Sequence, residues 1–263
     1  MSQPEHDQQT FGNVADQFVD YYETLRGHIR QELTREQLTD YLGRVPLWIA
    51  DIGGGDGRDT LWLAAQGHNV VMADPSDEMI AKAETALKAA DPKVAQRVKL
   101  LKGEAEDVLK RCKPGSFDMA LSHGVLMYLV RPELHLQDLS RLCKPGGLVS
   151  LLTKGYGGTL MRLAAAGDVE ASAHLVHSGQ SINALGVITE AYDPGQIENM
   201  IEDANLRVVD WFGVRVLFDQ DQRQLQDVAP RELAEILKLE RNAATDLSLR
   251  GVGQMLHFIA EKV

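Results

Sequence analysis

Apolar residues along the chain follow two alternating rhythms. Five short runs are apolar almost throughout: Leu47-Trp48-Ile49-Ala50-Asp51, Asn69-Val70-Val71-Met72-Ala73-Asp74, Val98-Lys99-Leu100-Leu101, Phe117-Asp118-Met119-Ala120-Leu121-Ser122 and Leu148-Val149-Ser150-Leu151-Leu152. Such runs mark strands covered on both faces. Between them apolar residues recur at helical spacing, as in Leu61, Leu63, Ala64 and Ala65, then Met79, Ile80, Ala83 and Leu87, with Ser76 placed to cap the second set. Leu134 to Leu142 predicts a helix stopped by Lys144-Pro145-Gly146-Gly147. Strands alternating with helices predict an α/β fold, a doubly wound and mostly parallel sheet with helices on both faces.

The flanks read differently. Val14, Phe18, Tyr21, Tyr22, Leu25, Ile29, Leu33, Leu38 and Leu42 predict one or two helices, a helical cap over residues 1–43 ahead of a main domain over 44–263. Residues 155–190, rich in Gly, Ala, Ser and His, predict helices and loops inserted over the sheet's carboxyl edge. Asp193-Pro194 opens a further helix with proline in its first turn. Arg207–Leu217 and Gln254–Glu261 predict two final strands, joined by a helix around Pro230–Asn242.

Composition narrows the class. With 263 residues, 44% apolar and 25% charged, the chain is an ordinary globular one that buries roughly 70–75% of its unfolded surface without a disulfide or metal staple. Cys112 and Cys143 lie outside any CxxC pair and are expected to be reduced and buried. No apolar run reaches the ~18–20 residues of a membrane span. The opening MSQPEHDQQT lacks the basic and apolar regions of a signal peptide, so a cytoplasmic location is expected. The net charge of −11 argues against a broad grip on nucleic acid. Residues from Arg207 onward carry eight basic and nine acidic side chains, so Arg215, Arg223, Arg241 and Arg250, with Arg162, remain candidates for a local basic patch.

The chemistry concentrates in Asp51-Ile52-Gly53-Gly54-Gly55-Asp56-Gly57, between the first strand and the first helix of the alternating region. Glycine suits a tight turn where backbone approaches a ligand, and ligands of open α/β sheets bind at the carboxyl ends of the strands. A dinucleotide loop reads GxGxxG, but here Arg58 stands at the third glycine. A carboxylate at the strand end, Asp51, would face a pyrophosphate unfavourably. It suits instead a cofactor with cationic groups, which points to S-adenosyl-L-methionine (SAM), whose sulfonium and ammonium are positive. Asp74, at the end of the second strand, is placed to accept hydrogen bonds from two ribose hydroxyls.

Trp48–Gly57, Val70–Ser76, Ala105-Glu106-Asp107, Phe117-Asp118 and Leu142–Leu148 together make residues 45–155 resemble class I SAM-dependent methyltransferases. The resemblance implies a Rossmann-like, seven-stranded sheet in order 3-2-1-4-5-7-6 with the last strand antiparallel. It implies a cofactor held by Asp51, Gly53, Gly54, Gly55, Asp74 and Pro75, with Ala105 and Glu106 beside the adenine and His123 near the methionyl or adenosyl part.

Outside the core the chain is similar to the bacterial tRNA 5-carboxymethoxyuridine methyltransferase family. The matching pieces are Phe11 to Phe18, Leu25–Gln31, Gly158–Met161, Gly167-Asp168, Asp193-Pro194, Gly213–Val216, Leu237–Glu240 and His257. The similarity implies esterification of a carboxylate on the wobble uridine, with Arg30 meeting the SAM carboxylate. Members of that family can carry lysines before the Asp-Pro helix, where this chain has Ile182 to Ile188.

The acceptor determines what other chemistry is needed. A carboxylate is ionised near pH 7 and needs no general base, and Arg215, beside Trp211 and Phe212, is a candidate to hold it in bidentate fashion. The alternative acceptor is a small acidic or phenolic metabolite; a phenol would want a base, for which His123, His174, His177 and His257 are candidates. His174 and His177 share a helical face but have no third ligand nearby, so no metal is expected. Tyr128, Tyr156 and Trp211 are candidates to stack on a base.

Overall fold

The computed structural model describes residues 21–43, 46–183 and 186–263. The expected helical positions Val14 and Phe18 lie outside them, as does the segment Phe11 to Phe18. The chain runs α1 (Leu25–Leu42), β1 (Trp48–Ile52), α2 (Arg58–Ala65), β2 (Asn69–Asp74), α3 (Asp77–Ala89), α4 (Pro92–Ala95), β3 (Val98–Lys102), α5 (Ala105–Arg111) and β4 (Phe117–His123). It continues α6 (Pro132–Leu142), β5 (Cys143–Lys154), α7 (Tyr156–Ala165), α8 (Val169–Ser178), β6 (Gln180–Ile182), β7 (Ile188–Glu190), α9 (Pro194–Asp203), β8 (Leu206–Val214), α10 (Pro230–Thr245) and β9 (Met255–Lys262).

Seven strands form one sheet in the order β3-β2-β1-β4-β5-β9-β8. β1 to β5 pair in parallel, and β9 runs antiparallel to both β5 and β8. This is the expected class I methyltransferase topology. The continuous apolar runs have a direct cause, because successive residues of a strand point to opposite faces and both faces are covered. Ala50, Val71, Ala120 and Phe258 pack on one side with Leu136, Leu139, Ile197 and Ile201. Ile49, Val70, Met119 and Ile259 pack on the other with Leu38, Leu42 and Leu63. Each fully buried side chain of this size contributes about 1.5–3 kcal/mol.

Local signals act largely where expected. The Ser76 hydroxyl accepts from the Met79 N–H at 3.3 Å, and Asp193 and Gln196 form a reciprocal capping box, both bonds 3.0 Å. Two features differ. The Lys144-Pro145-Gly146-Gly147 stretch does not precede β5 but lies within it, and the pairing of β4 jumps from Phe117↔Cys143 to Met119↔Leu148 to absorb it. Residues 155–190 hold α7, α8 and also the β6–β7 hairpin, whose three-residue strands are too short to show a period in sequence. Both cysteines are free thiols, Cys143 buried and Cys112 only partly so.

α1 packs Leu25, Ile29 and Leu33 against Ile236, Leu237 and Ala244 of α10. Glu240 on α10 is 0% exposed. Its carboxylate accepts the backbone N–H groups of Val216 (2.8 Å), Leu217 (3.0 Å) and Phe218 (2.8 Å), which fixes the chain as it leaves β8. Glu240→Ala leaves those three donors without their acceptor. It is expected to lower the unfolding free energy by about 3 kcal/mol or more, measured by urea denaturation.

Candidate cofactor and acceptor site

The site is built where β1, β2, β3 and β4 end. After Ile52 the chain turns over the neighbouring strand, and the Gly53 and Gly54 N–H groups both donate to the Ala73 carbonyl, at 2.7 and 3.3 Å. Gly53 and Gly55 have φ of +73° and +58°, a region that side chains with a Cβ rarely adopt. A Cβ on Gly53 would stand 2.2 Å from Val125 Cγ2, whereas the Cβ direction of Gly55 meets no protein atom within 4 Å. The loop is thus closed on one side and open on the other.

Asp74 closes this turn. Its Oδ2 accepts from the Gly55 N–H at 3.0 Å and its Oδ1 from the Ser76 N–H at 2.9 Å. Burial raises its pKa, and the two N–H groups partly offset that. Each oxygen retains a second lone pair. Pro75 follows, exposed. At the end of β3, Gly103 N–H donates to the Asp74 carbonyl at 3.0 Å. This brings α5 alongside, with Ala105 buried and the Glu106 carboxylate turned to Lys110 of its own helix at 3.1 Å.

Asp51 departs from expectation. Its carboxylate does not rim the loop but lies beneath it, 3% exposed, taking the Thr60 hydroxyl of α2 at 2.5 Å. A Cβ on Gly54 would stand 2.9 Å from its Oδ2. Burial pushes its pKa from the ordinary 3.8 up to about 7, against the Thr60 hydrogen bond and helped by Asp59, Asp74 and Asp56. Asp51 therefore props the loop against α2.

His123 ends β4 and bonds through Nε2 to Ser150 Oγ at 2.7 Å. Burial, with Arg30 adding to it, pulls its pKa down to about 3. Arg30, from α1, lies close by, since a Cβ on Gly124 would be 3.0 Å from its Nη2. Its Nη1 donates to the Tyr22 hydroxyl at 3.0 Å, and Tyr22 also lies under Arg58, 4.0 Å from ring centroid to guanidinium carbon.

Arg215 is placed differently from the sequence expectation. It lies one residue beyond β8, at φ 58°, and its guanidinium is already paired with the Asp219 carboxylate and the Tyr21 hydroxyl. The fork expected to hold a substrate carboxylate is filled from within the chain.

A methyltransferase-domain family model matches residues 50–151. Over 259 residues the chain is 29% identical to the tRNA 5-carboxymethoxyuridine methyltransferase of Escherichia coli K12, covering 96% of this chain and 95% of that one. It is 32% identical over 107 residues to a ubiquinone biosynthesis O-methyltransferase of Rhizobium johnstonii, covering 41% of each. Among solved structures, a SAM-dependent methyltransferase from Mesorhizobium loti shares the fold at TM-score 0.59 and 19% identity, over 86% of this chain and 96% of that one. The protein is a SAM-dependent methyltransferase.

The residues of this methyltransferase fit SAM. Asp74 has lone pairs for the ribose hydroxyls, the Gly55 side of the loop gives a ligand close approach to backbone, and Arg30 offers a guanidinium to a carboxylate. When bound, SAM supplies an electrophilic methyl group on sulfur; the protein's part is to hold and orient.

Several other candidate side chains are engaged within the methyltransferase. Arg223 pairs with Asp221 and Glu232, and Arg241 with Glu36. Arg250 stacks on Trp211, 3.8 Å from the ring centroid, and Phe258 stacks on the same indole at 5.5 Å, so Trp211 is not free to stack on a base. Tyr156 packs with Leu163 and Leu175. Tyr128 accepts from Asn183 at 3.2 Å. No group of three or more His, Cys, Asp or Glu side chains able to hold a metal occurs among the described residues.

Lys154 was not anticipated. It ends β5, 5% exposed, and donates to Ser181 Oγ (2.5 Å) and Thr189 Oγ1 (2.8 Å) of the β6–β7 hairpin. It has no carboxylate partner among the described residues. Burial, together with Arg162 and Arg215, lowers its pKa to about 8. A lysine closing an apolar strand reads as an ordinary strand end in sequence.

Two measurements test this site. Asp74→Ala is expected to weaken SAM binding by about 1–3 kcal/mol in a calorimetric titration. For Asp51, the unfolded group ionises near pH 4 while the folded one holds its proton to about 7. Stability present at low pH is therefore lost as pH rises to about 7 and changes no further above it. Asp51→Asn, which cannot ionise, should gain on the natural protein by on the order of 4 kcal/mol between pH 4 and 7 in urea unfolding. A gap that stays constant across that range would show the carboxyl ionised throughout.

Proposed function

We propose that the protein methylates the carboxylate of 5-carboxymethoxyuridine at the tRNA wobble position, forming the methyl ester. The observation that carries this reading is the reach of the similarity. The methyltransferase-domain match stops at residue 151, and the Rhizobium johnstonii relative covers 41% of this chain. The similarity to the Escherichia coli enzyme extends over 96% of it, which takes in α1 and the elements after β5 that surround the strand ends.

Acid–base chemistry supports the same acceptor. With a pKa near 3, His123 is a poor proton acceptor at neutral pH, and burial likewise holds His257 well below the ordinary histidine value. A carboxylate is already ionised and needs neither. A phenol would require a base that these two histidines do not supply. Lys154 adds a cation suited to an anionic acceptor. His123 pairs in register with Leu152, so Lys154 lies two residues further along β5 toward the same end. Its hydrogen bonds go to two hydroxyls rather than to a carboxylate, and in a low-dielectric surround its charge acts beyond contact distance.

The reading is tested by incubating the protein with methyl-labelled SAM and tRNA carrying 5-carboxymethoxyuridine. Label is expected in tRNA as a base-labile ester; label confined to small molecules would reject it. Lys154→Met is expected to reduce kcat/KM for the tRNA at least tenfold with SAM affinity unchanged, because it removes a buried positive charge near the strand end that would favour an anionic acceptor.

A further inference from the structure

We propose that Gln37, His257 and Ser150 form a buried relay that fixes which ring nitrogen His123 presents to the cofactor, a role that rests on His123 lining the SAM site. The relay joins four elements. Gln37 Oε1 of α1 lies 2.8 Å from His257 Nδ1 of β9. His257 Nε2 lies 2.8 Å from Ser150 Oγ of β5, and Ser150 Oγ lies 2.7 Å from His123 Nε2 of β4. Ser150 and His257 are both 0% exposed, and the two imidazoles meet edge to face at 5.4 Å.

Proton counting gives the relay a direction. Burial keeps both imidazoles neutral near pH 7, so each has one N–H and one bare nitrogen. The Gln37 carboxamide oxygen can only accept, so Nδ1 of His257 carries the proton and its Nε2 is bare. That nitrogen accepts from the Ser150 hydroxyl. Ser150 Oγ, its only proton spent, accepts from Nε2–H of His123. Nδ1 of His123 is left bare, and it has no partner among the described residues. A bare nitrogen is an acceptor, the complement of the ammonium and hydroxyl donors that SAM carries. If Gln37 instead turned its amide nitrogen to His257, every bond would reverse and His123 would present an N–H, which repels those donors.

Gln37, His257 and Ser150 are thus positioning residues that act through His123. Nitrogen-15 NMR of the histidine side chains in the protein without SAM reads the tautomers directly. The expected result is His257 protonated on Nδ1 and His123 on Nε2, neither titrating between pH 5 and 8. Ser150→Ala removes the hydroxyl's bonds to both imidazoles but leaves Gln37 on His257, so His257 should keep its tautomer while His123 becomes a mixture and the SAM dissociation constant rises about five- to tenfold. Gln37→Glu, which still accepts, should preserve both tautomers and SAM affinity; Gln37→Met should lose them. Finding His123 protonated on Nδ1 in the natural protein, or unchanged in Ser150→Ala, overturns the relay. If SAM binds the natural protein without moving the His123 Nδ1 resonance, the placement of His123 at the cofactor fails, whatever the tautomers show.

Discussion

The site depends on one close approach, the glycine turn after β1 lying on the end of β2. Two N–H groups of that turn share the Ala73 carbonyl, and a third reaches the Asp74 carboxylate. These contacts require the left-handed backbone of Gly53 and Gly55 and a side-chain-free surface against Val125. With the turn anchored, the Asp74 carbonyl receives Gly103 and the loop after β4 packs on the turn. Four strand ends are thereby held level. Asp51 and Thr60 support the turn from below, joining the sheet to α2.

Charge is organised with the same economy. Beside this cradle, the guanidinium of Arg215 has its carboxylate partner in Asp219, four residues along an irregular stretch. Glu240 holds the start of that stretch by three backbone N–H groups. Arg223 and Arg241 are likewise neutralised by neighbours. Lys154, by contrast, is held by two hydroxyls and has no carboxylate in ion-pair contact among the described residues.

The sheet, its order and the glycine turn were legible because they leave local marks: runs of apolar residues where both faces are covered, glycines where φ is positive, acids at strand ends. What escaped reading depends on residues far apart in sequence. Ser150 meets His257 across more than a hundred positions. Asp51 and Asp74 look alike as strand-end acids, yet one points into the core and the other stays at the loop, a difference decided by Thr60 on the next helix. The pairing of Arg215 with Asp219 had no periodic signature, because the chain there is neither helix nor strand. The β6–β7 hairpin was hidden by its length.

Tyr21 and Tyr22 are consecutive, yet one hydroxyl holds Arg215 and the other Arg30. Two guanidinium groups on separate elements are thus tethered to a single peptide unit at the entrance to α1. A shift of that one peptide unit would therefore move the anchors of both side chains at once.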